Sequence, residues 1–91
     1  MNIMEYCELW LEMKSGTRNF RVVLLAPNGM ELPEGYSTAP SNRMLYEKRL
    51  CYSKWFEGIS GAKESLEEAA KFYREKDIKF LLFSEIREPV E

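Results

Sequence analysis

Ser60 and Lys63 stand three residues apart in Ser60-Gly61-Ala62-Lys63, the S-x-x-K spacing that sets an amine one helical turn from a hydroxyl and lets it activate a serine nucleophile. Carboxylates recur four residues apart at Glu64 and Glu68 and at Glu8 and Glu12; such a pair divides into acid and base only if one member is desolvated. The stretch 41–60, SNRMLYEKRLCYSKWFEGIS, interleaves Arg43, Lys48, Arg49 and Lys54 with Tyr46, Tyr52, Trp55 and Phe56, the mixture with which proteins hold phosphates and stack bases.

Each signal is weak on its own. The S-x-x-K match has no S-D-N or K-T-G companion in the chain, and a hydroxyl or glycine cap before a helix accounts for it. Glutamates one turn apart on a polar helix face are ordinarily solvated, with nothing to split their pKa values. The chain has no histidine, which removes the commonest general base and most zinc sites. Cys7 and Cys51 are the only cysteines; they match no metal spacing, are too few for a disulfide framework, and read as small buried hydrophobes. The sequence therefore implies no metal or cofactor, and points to a protein that is not an enzyme.

The elements that would position these residues must come from 91 residues, 45% hydrophobic and 13% aromatic. That is one domain, 1–91, close to the size at which a single core suffices without disulfides or metals. Thirteen bases against fifteen acids give a net charge of -2, the wrong sign for general nucleic-acid affinity. Between Met13 and Lys54, however, seven bases face three acids. Glu5, Glu8 and Glu12 stand where a secretory leader would be basic, and no run is long enough to span a bilayer; a cytoplasmic chain with no membrane partner is the expectation.

Punctuation at Lys14-Ser15-Gly16, Pro27-Asn28-Gly29, 32–40, 58–61 and Pro89 divides the chain into five elements. Residues 2–13 fit two templates. As a helix they gather Glu5, Glu8 and Glu12 on one arc; as a strand they alternate Cys7, Leu9, Leu11 and Met13 against Glu8, Trp10 and Glu12. Helix propensity tips the reading towards the helix. Residues 20–26, FRVVLLA, form an inner strand. Asn28-Gly29 suggests a type I′ hairpin returning through a short edge strand at Met30 to Leu32. Residues 33–40 are a loop that leaves Tyr36 without a local partner.

From Ser41 to Gly58 the wheel puts Met44, Leu45, Cys51, Tyr52, Trp55 and Phe56 on one apolar arc, which predicts a helix; high β-propensity keeps a strand open as the alternative. Ser65-Leu66-Glu67-Glu68 is a capping box, so a helix starts there or near Ala62 and ends at Lys76-Asp77. Residues 78–86, IKFLLFSEI, are apolar on both faces and predict a second inner strand beside the first. The fold class is α+β: a single small domain with a sheet of about three to four strands packed against two or three helices.

Gly58-Ile59-Ser60-Gly61 is G-x-x-G between two predicted helices and between flanking strands, an order that resembles in outline the core of a KH domain and would imply single-stranded nucleic-acid binding. The match departs from that family at the variable pair, Ile-Ser where a base usually meets phosphate, and at Glu64, where an apolar residue is expected.

If 41–58 is a helix, burial of Trp55 and Phe56, worth roughly 1.5–3 kcal/mol each, turns them inward. Lys48 then falls on the apolar arc, and Tyr46 and Leu50 make an outward pair beside Arg49. With Tyr36, Arg43 and Lys54 these are the expected partner-binding residues. The expected function is that of a small binding protein occupying a surface of a larger protein partner, of an inhibitor or adaptor kind that phages or mobile elements often carry, with self-association as a further option. The alternative is capture of an anionic ligand, a nucleotide or single-stranded nucleic acid, by the basic face from Arg43 to Lys54.

Overall fold

Residues 6–38 and 49–88 are described by the computed structural model. The continuous apolar run centred on Val22 to Ala26 becomes a strand, β2 (Asn19–Pro27), at the centre of a five-stranded sheet. β1 (Cys7–Met13) pairs with it antiparallel on one side and β4 (Arg49–Glu57) antiparallel on the other. A two-residue strand, β3 (Ser37–Thr38), pairs with the middle of β4 at Tyr52 and Ser53. β5 (Phe80–Arg87) lies parallel to β1 and forms the opposite edge. One helix, α1 (Ile59–Glu75), crosses a single face. The fold is α+β, with more strands and fewer described helices than the pattern predicts.

Over their described residues two expected helices are strands, and in both the reason is what the other face meets. In β1 the odd residues Cys7, Leu9 and Leu11 are buried towards α1, while Glu8 and Glu12 turn to the opposite face and find arginines there. The glutamate spacing that resembled a solvated helix arc also satisfies strand alternation. In β4 the same alternation splits the supposed apolar arc: Tyr52 and Phe56 face the helix, and Cys51 and Trp55 face away. Trp55 keeps 48% of its surface exposed, so burial of its indole is not what shapes this segment. Met44 and Leu45 lie outside the described residues.

The helix starts earlier than its capping box suggests. Gly58, with φ of 93°, turns the chain out of β4, a conformation that glycine adopts without a Cβ penalty. Ser65 is buried in mid-helix rather than capping an end, and Gly61 lies inside the helix, so no G-x-x-G loop between helices exists and the KH outline fails. Asn28-Gly29 does turn the chain: the Met30 N–H donates to the Pro27 carbonyl at 3.0 Å. Only Gly29 of the central pair has positive φ, which excludes type I′. No return strand forms over 30–32, and the second apolar run pairs with β1 rather than β2.

The helix buries Ala62, Leu66, Ala69, Ala70 and Tyr73. The alanines let its backbone approach the sheet, where Cys7, Leu9, Val22 and Leu24 meet it. Fully buried, Tyr73 spans the layer and donates its hydroxyl to the Glu31 carbonyl at 3.2 Å, tying the 30–36 loop to the helix. Both cysteines are buried, as expected of small hydrophobes, on opposite faces of the sheet. No helix among the described residues is long and apolar enough to cross a membrane.

Burial pushes the Cys7 thiol up from its ordinary 9.0 to about 11, outweighing its hydrogen bond with Tyr73 and the Arg49 charge, which both pull it down. Below pH 9 the thiol is protonated whether the chain is folded or not. Between 9 and 11 the unfolded chain ionises it while the folded chain resists, so its stabilising contribution is lost as pH rises. Denaturant titrations are expected to show stability falling across pH 9–11 in the native chain, with a shallower fall in Cys7→Ala.

Candidate functional site

The described residues of the expected partner surface do not assemble as one patch. Arg43, Tyr46 and Lys48 lie outside the described residues. Arg49 and Leu50 are neighbours on a strand, so they point to opposite faces: Leu50 packs towards the helix side, and Arg49 joins the far face. There Arg49 Nη1 donates to Glu8 Oε2 at 2.7 Å while its guanidinium lies 4.8 Å from the Tyr6 ring centre. Its Nε is buried without a hydrogen bond among the described residues. This arginine is committed internally, and over 49–57 the outward helix face expected from the wheel is replaced by two sides of a sheet.

Tyr36 and Lys54 do come together, on the helix side. They share a cleft of about 370 Å³ with Glu34, Ser65, Glu68 and Phe72. Tyr36 has the partner that its loop did not reveal: its hydroxyl is 3.2 Å from that of Ser65. Burial raises the Tyr36 hydroxyl pKa, the Ser65 hydrogen bond opposes this, and the Glu68 charge adds to it. Lys54 runs beneath Gly35, where an added Cβ would stand 3.0 Å from its Cε, and carries its ammonium 5.4 Å from the Phe56 ring centre. With Glu34 and Glu68 on the rim, the single lysine of this cleft offers no excess of positive charge to an anion.

The face away from the helix is built by side chains lying over one another. Glu12 Oε2 accepts from Trp10 Nε1 at 2.8 Å, and Glu12 Oε1 accepts from Arg21 Nε at 2.7 Å and Nη2 at 2.6 Å. Arg21 in turn covers the Trp55 ring at 5.3 Å. Arg87, next to Glu12 across the β1–β5 ladder, lies 4.7 Å from the Trp10 ring and 4.5 Å from that of Phe83. Beneath these planes sit Val23, Leu25 and Cys51. Guanidinium planes stacked on rings exclude water while keeping their charge satisfied. The charges of Arg21 and Arg49 are spent on Glu12 and Glu8, which weighs against this face as a phosphate platform.

The least satisfied surface is β5. Cys7 N–H donates to the Lys79 carbonyl at 3.0 Å, so alternation turns Lys79 and Leu81 towards β1 and directs the N–H and C=O of Phe80 and Leu82 outward. No described strand receives them. Leu81, Leu82 and Ile86 keep 49, 41 and 42% of their surfaces exposed, Leu81 on the far face and the other two on the helix face. Between Leu82 and Ile86 the ladder to β1 shifts register, so β5 spends three residues against one. Sequence reasoning read this run as an inner strand because both faces are apolar. Ser84-Glu85 at its middle is the signal that it is not buried on two sides.

Ser60 and Lys63 are both exposed on the first turns of α1. No group of three or more potential metal-ligating side chains occurs among the described residues. No protein-family model matches the chain, and neither a curated protein nor a solved structure matches it.

Removing the carboxylate of Glu12 leaves Arg21 and the Trp10 N–H buried without their acceptor. Glu12→Ala is expected to cost about 3–5 kcal/mol in chemical denaturation, and Glu12→Leu with Arg21→Met to recover most of it.

Proposed function

We propose that this domain is a non-enzymatic binding module, of the inhibitor or adaptor kind, that takes an extended strand of a protein partner onto β5. One observation carries the reading: an eight-residue edge with outward backbone groups and exposed Leu81, Leu82 and Ile86. Edge strands are normally shortened, charged or covered; on the opposite side of the sheet β3 covers Tyr52 and Ser53 of β4, and β5 has no such cover among the described residues. An added strand would gain main-chain hydrogen bonds along β5 and set alternate side chains against Leu81 on one face and Leu82 and Ile86 on the other. The site differs from the basic, tyrosine-bearing helix face expected from sequence; the class of function is retained and its surface is moved.

Placement of the reactive groups favours binding over catalysis. The Cys7 thiol is in the core with its ionisation suppressed, and nothing desolvates Lys63, which is exposed, as a lysine acting as a base requires. The paired arginines favour a protein partner over an anionic ligand. The test is capture of a host partner by the immobilised chain, with hydrogen exchange on the complex. Leu82→Lys is expected to abolish capture, and the Phe80 and Leu82 amides to gain protection, while Lys54→Ala in the Tyr36 cleft leaves capture unchanged. Capture that survives Leu82→Lys would refute the reading.

A further inference from the structure

We infer that the strand received by β5 is β5 of a second copy of this chain, antiparallel about a two-fold axis at Leu82. The inference rests on the strand-addition reading and names its partner. The backbone directions select the register: outward-facing Leu82 can exchange both its hydrogen bonds with its own counterpart, the closely bonded pair of an antiparallel ladder. Residue numbers that sum to twice 82 then stand opposite each other. Phe80 meets the second copy's Ser84, Leu81 meets its Phe83, and Lys79 meets its Glu85, each twice by symmetry. Paired residues share parity, and the alternation of Phe80, Leu82 and Ile86 on the helix side with Leu81, Phe83 and Arg87 on the far side holds across the register shift, so these side chains meet others on their own face.

The sequence is self-complementary in this register. Exposed Lys79 and Glu85 form opposite charges directly across the ladder, the exposed Leu81 gains an aromatic neighbour, and Leu82 loses its exposure against itself. Moving the axis one residue on, to Phe83, would set Lys79 against Arg87 and Leu81 against Glu85, like charge against like and apolar against acidic. The axis at Leu82 also makes the helix sides of both copies coincide, giving a ten-strand sheet with both helices on one face. A single strand-to-strand contact falls at the small end of interface sizes, so the dimer is expected to dissociate in about the micromolar range.

Sedimentation of the purified full chain from about 1 to 500 µM tests this. The wild type is expected to shift from monomer to dimer across that range. Leu82→Lys places two ammonium groups at the axis and is expected to leave a folded monomer throughout. Lys79→Glu and Glu85→Lys are each expected to raise the dissociation constant roughly tenfold, because each replaces two attractive pairs by two repulsive ones; combined, they restore the wild-type value to within about threefold. Both positions are exposed, so these variants keep the test sharp even if Leu82→Lys disturbs the fold. A wild type monomeric to the top of the range, or a double reversal no tighter than the singles, overturns the inference. A monomer whose partner capture is still lost in Leu82→Lys overturns self-pairing alone and leaves the strand-addition reading standing. Indifference of both dimerisation and capture to that substitution overturns the two together.

Discussion

A strand buried on both faces needs two covers, and this chain supplies one helix among its described residues. β2 is that strand: Arg21 through Ala26 are all buried. On one face the cover is conventional, an amphipathic helix whose alanines admit close approach and whose Tyr73 reaches across to the 30–36 loop. On the other it is made of arginine planes and indoles, pinned by the acceptor pair of Glu12. A charge so placed is not there to add stability over a hydrocarbon of the same shape; it fixes which residues stand over which. That constraint spends the basic residues that composition suggested for a ligand.

The two covers differ in how far they extend. α1 contacts β1, β2 and β4 more extensively than β5, so the sheet is well protected in its middle and bare at one end. The arginine layer reaches further, because Arg87 belongs to β5 itself and folds back over Trp10. β5 is thus attached by its ladder to β1, by Phe80 beside Tyr73, and by Phe83 and Arg87 against Trp10, with Leu81, Leu82 and Ile86 left exposed. The binding reading follows from this unequal coverage rather than from any cluster of reactive groups.

What was legible in the sequence is what depends on a single strand or a single helix face. FRVVLLA is readable as an inner strand because an aliphatic and β-branched run on both faces suits a strand covered on two sides, and the alanine and leucine spacing from Leu66 to Tyr73 is helical on any wheel. Cys7 and Cys51 are readable as core. What could not be read depends on partners far away in the chain. Glu8 and Glu12 resemble a solvated arc until Arg49 and Arg21 arrive from other strands; Trp55 looks like core until it is seen half exposed beside Arg21. The 49–57 segment satisfies helical and alternating patterns together, and only pairing to all nine residues of β2 decides between them. Of the expected site, Tyr36 and Lys54 converge, whereas Arg49 and Leu50 separate because a strand sends neighbours to opposite sides. The outer edge of β5 went unseen because an exposed apolar strand and a buried one share the same composition.

The parallel pairing of β1 with β5 also sets an order of events during synthesis. Cys7 stands beside Phe80, so β1 leaves the ribosome long before its lateral neighbour exists. β2, β4 and α1 can assemble on it first, giving a nascent four-strand platform whose growing margin is β1, already rich in leucine and tryptophan. Closing so distant a contact is slow, and until it happens the backbone groups on that side of β1 have no strand beside them.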